Sequence, residues 1–151
     1  MSENKRSSSR VKALSARLCA VQALYQVHHN TQPMRGVYEE YLQYRSDMEI
    51  EGEKLVPPDP ALLKNILYGV EDRFPEIEAV VAANLKRDAS DRQVEPLLKA
   101  LLMCGAYELL IREQDAPILI NDYLNIAHAF YTRGEVALVN GVLDSIARMF
   151  A

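Results

Sequence analysis

The chain has 151 residues, a formal net charge of −4 and 49% hydrophobic residues. This length suits one globular domain that buries about two thirds of its unfolded surface. The sequence predicts no membrane-spanning helix, because no apolar run approaches the roughly 20 residues that such a helix needs. A secretory signal is not expected either, because Ser15, Arg17 and Gln22 interrupt the apolar segment that follows the basic N-terminus.

The cysteine and histidine pattern argues against a metal centre. Cys19 and Cys104 are far apart, lie in apolar helical patterns and have no CxxC spacing, so we expect buried reduced thiols, which fits the cytoplasm. His28 and His29 are adjacent and would point about 100° apart on a helix, so they do not converge on one ion. The sequence predicts no metal and no cofactor.

Charge is distributed unevenly along the chain. Residues 1 to 17 carry five basic groups and one acidic group, whereas residues 35 to 60 carry three basic and seven acidic groups. A basic arm attracts phosphate backbones. The alternative is a solvated tail that only keeps the protein soluble.

The first predicted elements are a polar arm and two helices. Residues 1–9 have no apolar residue after the initial methionine and predict a flexible arm ahead of a single domain, residues 10–151. Apolar residues at three- and four-residue steps predict a helix from Leu14 to His28 and a second from about Arg35 to Met48. The acidic run that follows, ending at Pro57 and Pro58, predicts a connecting loop.

Five further helices are predicted from start and stop signals. Asp59 and Pro60 have the residue types of an N-cap and a first helical position. Pro75 opens a fourth helix, and Ser90 with Gln93 fits a capping box ahead of an apolar fifth helix over Leu97–Ile111. A break at Asp115–Pro117 precedes a sixth helix over Ile118–Tyr131. A break at Arg133-Gly134 precedes a seventh over Val136–Phe150.

No segment alternates with a period of two, so the predicted fold class is all-α, a compact bundle of about seven helices. We expect Gly141 to allow another backbone to approach the last helix. The predicted core includes Leu18, Val21, Leu101, Leu102, Leu109, Val139 and Leu143.

Motifs of common enzymes are absent. The sequence has no glycine-rich phosphate loop, no GxSxG, no HExxH and no recognisable pair of catalytic carboxylates. The prediction is a protein that is not an enzyme.

The first helix is the best candidate for a binding surface. Arg10, Lys12, Arg17 and Gln22 can present donors beside its apolar stripe, and Tyr25 lies two turns beyond Arg17. Cations near an exposed ring suit single-stranded RNA, because cations neutralise phosphates and the ring stacks on a base. The alternative is that Tyr25 packs in the core with its hydroxyl at the edge.

Three segments resemble the NusB family of bacterial transcription antitermination factors. They are RLCAVQALY from Arg17 to Tyr25, GAYELL from Gly105 to Leu110 and VALVNGVLD from Val136 to Asp144. Their order and approximate spacing also match, so the resemblance covers nearly the whole chain.

The resemblance implies that the first helix binds boxA, a short single-stranded element of ribosomal RNA leaders, with Arg17, Gln22 and Tyr25 at matching positions. It also implies protein partners, namely the ribosomal protein NusE and the RNA polymerase elongation complex with other Nus factors. Many relatives have consecutive arginines where this chain has Ala13, Leu14 and Ser15.

Two alternatives stay open. A similar helical domain precedes the catalytic domain of certain ribosomal RNA cytosine methyltransferases, which would require this chain, ending at Ala151, to be truncated. The other is a protein-interaction module that has lost RNA binding.

Overall fold

The computed structural model describes residues 2–44, 49–50, 53–54, 56–87 and 94–151. These contain seven helices and one short hairpin. The elements are α1 (Ser2–His29), α2 (Met34–Tyr44), β1 (Glu49–Ile50), β2 (Glu53–Lys54), α3 (Pro60–Asp72), α4 (Phe74–Arg87), α5 (Pro96–Ile111), α6 (Ala116–Phe130) and α7 (Arg133–Met149). The predicted all-α class and the number of helices are confirmed.

The largest difference in helix boundaries is at the N-terminus. The sequence pattern began the first helix at Leu14, whereas α1 begins at Ser2 and includes the residues predicted as an arm. Apolar periodicity marks only the part of a helix that packs, and neither proline nor glycine interrupts Ser2–His29. The division into a flexible arm and a domain stays a prediction.

Two smaller differences lie in the connections. The acidic loop contains an antiparallel hairpin of two residues per strand, in which Glu49 pairs with Lys54. The break before α7 lies at Tyr131 and Thr132, so that Arg133 and Gly134 belong to the first turn of α7. The predicted capping box of Ser90 and Gln93 lies outside the described residues.

The core is built around α5, which packs against α1, α3, α4, α6 and α7. Leu98 and every residue from Ala100 to Leu109 are buried, as expected for a helix that is apolar on nearly all sides. All seven residues predicted for the core are buried, and Cys19 and Cys104 are buried with them.

The sequence signals at the start of α3 are also confirmed. The Asp59 carboxylate accepts a hydrogen bond from the backbone N–H of Leu62 at 3.2 Å, and Pro60 is the first helical residue. Within the described residues, no helix is long and apolar enough to cross a membrane.

Glycine positions show where helices approach closely, and the prediction for Gly141 is wrong. Gly141 is exposed on α7. The close approach is instead at Gly69 of α3, where an added Cβ would overlap the ring of Tyr107 from α5. The Tyr107 hydroxyl also donates to Asn65 Oδ1 at 2.9 Å, which fixes the ring in this position.

We expect Gly69→Ala to lower the free energy of unfolding by about 1–3 kcal/mol, because the added methyl group must displace the Tyr107 ring. Gly36→Ala is the matched control, since it also lies inside a helix but has nothing within 4 Å of the added Cβ. That control should raise stability by about 0.5–1 kcal/mol. Urea unfolding measures both, and equal changes in the two variants would contradict the packing described here.

Candidate functional site

A buried ion-pair network joins α1, α5 and α6. The Arg17 guanidinium donates to both oxygens of Glu108, from Nε at 2.7 Å and from Nη2 at 3.0 Å. Its Nη1 donates to Asp122 Oδ2 at 2.8 Å. The Tyr123 hydroxyl also donates to Glu108 Oε2, at 2.6 Å. The Arg17 side chain is only 5% exposed, so three charged groups share one interior site.

Burial and partner charges act in opposite directions on this network. Burial by itself lowers the pKa of Arg17, but the hydrogen bond to Glu108 and the charge of Glu108 outweigh it, and the net pKa is raised. Burial raises the pKa of Asp122, and the charge of Arg17 opposes that shift. Burial also raises the pKa of the Tyr123 hydroxyl well above its usual range.

The network corrects the prediction for Arg17. We expected Arg17 to present a donor at the surface, but among the described residues its guanidinium donates to the interior carboxylates of Glu108 and Asp122. The physical reason is that a carboxylate buried between apolar helix faces is costly unless a cation pairs with it. Arg17 therefore positions α1 against α5 and α6.

The structure also separates Lys12 from the other predicted residues. Arg10 and Lys12 are both exposed, but two residues along a helix place them roughly 160° apart around its axis. The backbone carbonyl of Lys12 accepts from Asp59 N at 3.2 Å, on the side of α1 that faces the start of α3. The charge of Arg10 also acts to lower the pKa of the Asp122 carboxyl on α6, although burial raises it overall.

We use the name α1–α6 face for Arg10, Tyr25 and His29 of α1 together with Tyr131, which follows α6. Tyr25 is half-buried, and its ring stacks on His29 with centroids 4.9 Å apart and planes 18° apart. The Gln22 side-chain oxygen is buried and has no hydrogen-bond partner among the described residues. Most buried side-chain acceptors have a hydrogen-bond partner, so the Gln22 oxygen is an exception among the described residues.

Tyr131 extends this face beyond the end of α6. Its pKa is raised, first by burial and then by the Glu95 and Glu135 carboxylates, and Tyr25 is also close enough to contribute. Within the described part of the chain, the hydroxyl makes no hydrogen bond of ordinary geometry. Tyr131 was missed in the sequence, where it only marks the end of a predicted helix.

Tyr25 also lies at the edge of a cleft of about 250 Å³ near the C-terminal end of α1. The alternative prediction placed the Tyr25 ring in the core with its hydroxyl at the edge. The ring does pack partly against the core, and it also lines this cleft. The cleft has residues that the sequence did not single out for binding, among them Phe74 and Lys99. No motif signals them, since they come from separate helices. No group of three or more metal-ligating side chains occurs in the described ranges.

The sequence model of the NusB family matches residues 14–148, nearly all of the helical bundle. The chain belongs to the NusB family. It is 34% identical to the transcription antitermination protein NusB of Nitrobacter hamburgensis, in a match covering 90% of this chain and 86% of that protein. The corresponding protein of a Bradyrhizobium species is 37% identical, with 90% and 81% covered.

A third NusB relative, from Allorhizobium ampelinum, is 38% identical over 89% of this chain and 84% of its own length. A solved structure of T. maritima NusB superposes with a TM-score of 0.69 at 20% identity and covers 89% of each chain. That likeness shows the fold. The predicted family is therefore confirmed by sequence, and the NusB-like helical bundle by structure.

Proposed function

We propose that the chain is a cytoplasmic transcription antitermination factor that binds boxA-type single-stranded RNA together with ribosomal protein NusE. The complex then joins the elongating RNA polymerase and promotes transcription of ribosomal RNA. The observation that carries the proposal is membership of the NusB family over residues 14–148. The name of the three relatives, transcription antitermination protein, supports the same function.

The α1–α6 face supplies groups suited to an RNA strand. Arg10 is an exposed cation for phosphate, and the half-buried Tyr25 ring offers stacking area. Gln22 is partly exposed, but its side-chain oxygen is buried and does not meet the strand. Arg17 acts from beneath this face by fixing α1 in place. Such contacts are individually weak, and assembly with NusE and polymerase raises their effective concentration.

The burial of Arg17 favours one alternative, a protein-interaction module without RNA binding. It removes a cation from a surface that already has alanine, leucine and serine at positions 13–15. Direct RNA titration decides between the two. The methyltransferase-domain alternative has less support, since the three relatives are antitermination proteins that match over 81–86% of their own lengths.

We expect Arg10→Ala to weaken binding of boxA-type RNA and to reduce the log–log salt dependence of binding by about 0.7, the value for one phosphate contact with a single strand. Lys12→Ala should change the slope less, because Lys12 lies on another side of α1. Arg35→Ala is the control, since it removes an exposed cation from α2, where Arg35 pairs with Glu39. Fluorescence anisotropy over a salt series, with and without NusE, measures each slope.

Tyr25→Leu should lower RNA affinity without changing the salt slope, because it removes a ring and no charge. Thermal melting shows whether the variant stays folded. If the wild-type protein binds no RNA even with NusE at low salt, the proposed function fails and the interaction-module alternative gains.

A further inference from the structure

The cleft at the end of α1 is lined by two pairs of stacked rings. Tyr25 and His29 of α1 form one pair. His28 of α1 and Phe74, the first residue of α4, form the second, with centroids 4.6 Å apart and planes 24° apart. Flat rings from two helices therefore meet at one opening, which is the composition expected where a flat ligand stacks.

The cleft has an apolar floor and an accessible rim. Leu24, Ala100 and Met103 are buried beneath it, whereas His28 and His29 are exposed. Its volume of about 250 Å³ is below the roughly 300–1,000 Å³ of pockets for drug-sized ligands. One ring system with a polar edge fits this space better than a larger molecule.

Charge at the rim is mixed. Lys99 Nζ donates to Glu78 Oε2 at 2.6 Å, and His28 Nε2 contacts the Glu71 carboxylate. These contacts tie Lys99 and His28 to carboxylates outside the cleft lining. The Lys99 ammonium has three N–H donors and uses one on Glu78, so it keeps donors for an acceptor at the edge of a base.

The cleft continues the α1–α6 face, because Tyr25 belongs to both. Arg10 and Tyr25 are fifteen residues apart on one helix, which is about 22 Å along its axis and roughly 60° around it. At about 3.4 Å per stacked nucleotide, that distance equals six or seven nucleotides. A single strand whose phosphate contacts Arg10 reaches the cleft within a short element.

We propose that the cleft binds one unstacked base of the RNA strand. The base stacks on the rings at the opening, and its polar edge meets the rim groups of Lys99 and His28. This inference rests on the proposed function, since it requires RNA binding, and it adds a base-specific site that includes Phe74 and Lys99. The test below is arranged so that the two can fail separately.

The test combines an abasic scan of the RNA with Phe74→Leu. Each nucleotide of the boxA-type strand is replaced in turn by an abasic one, which keeps the phosphate and removes the base. At one position we expect the abasic change to lower wild-type affinity about 5- to 150-fold, the range for one stacked base. Phe74→Leu should lower affinity for intact RNA and largely abolish the abasic effect at that position alone.

Tyr68→Leu is the matched control, because it removes a half-buried ring that packs against Tyr38 and does not line the cleft. It should leave the abasic effect at full size. If Phe74→Leu unfolds, His29→Ala takes its place, since His29 is exposed. If the wild-type protein binds RNA and the cleft variant shows the same abasic profile as wild type, the base site is overturned and the proposed function stands. Absence of any wild-type binding would refute both.

Discussion

Replacing Arg17 with methionine is expected to lower the free energy of unfolding by about 3–5 kcal/mol, the range for removing one partner from a buried ion pair. The variant leaves the Glu108 and Asp122 carboxylates in the interior without their cation. Urea unfolding followed by circular dichroism measures the loss. Arg148→Met is the matched control, because its pair with Asp144 is four residues apart on the surface of α7, and such pairs contribute about 0.3–0.5 kcal/mol.

The loss should depend on pH in a defined direction. Burial raises the pKa of Asp122 above its ordinary 3.8, so the folded protein binds that proton more tightly than the unfolded chain does. The contribution of such a group to stability is fully present below the unfolded pKa and is lost as pH rises through the folded pKa. Arg17 opposes the shift, so without Arg17 the folded pKa rises further. The difference in stability between the Arg17 variant and wild type should therefore shrink as the pH falls below the raised folded pKa of Asp122 in the variant.

Neutralising the carboxylates offers a second check on the same network. Adding Glu108→Gln and Asp122→Asn to Arg17→Met should recover part of the lost stability, because no unpaired charge then remains in the interior. A single Arg17 variant as stable as wild type at neutral pH would contradict the network. If the Arg17 variant loses more RNA affinity than its smaller folded fraction explains, Arg17 also positions the α1–α6 face.

Truncation of the central helix should have the second-largest effect. We expect Leu102→Ala and Leu109→Ala each to lower the free energy of unfolding by about 2–5 kcal/mol, through lost burial and the cavity left behind. Both side chains are fully buried. Leu97→Ala on the same helix is the control, and its loss should be smaller because Leu97 is only half-buried. Thermal melts compare the three, and unchanged midpoints for Leu102→Ala and Leu109→Ala would contradict the core assignment.

Local chemistry in the sequence determined most of the fold. Apolar spacing indicated the helices, and residues such as Asp59 and Pro60 marked their starts, because capping depends on neighbouring residues alone. The α5 segment is apolar on nearly all sides, which indicated that it is the central helix. The motifs at Arg17–Tyr25 and Val136–Asp144 pointed to the family. Helix ends were less certain at α1 and α7, where the packed face stops short of the helix itself.

Only the tertiary structure decided which polar groups reach the surface. In the sequence, Arg17 looks like Arg10, and nothing in its neighbourhood shows that Glu108 and Asp122, more than ninety residues away, surround it. Gly141 appeared to mark close packing, yet the close approach is at Gly69, because that depends on where the Tyr107 ring comes to lie. The cleft at Tyr25 and Phe74 likewise exists only where α1 and α4 meet. Helix formation is local, whereas burial and the pairing of charges depend on which helices pack together.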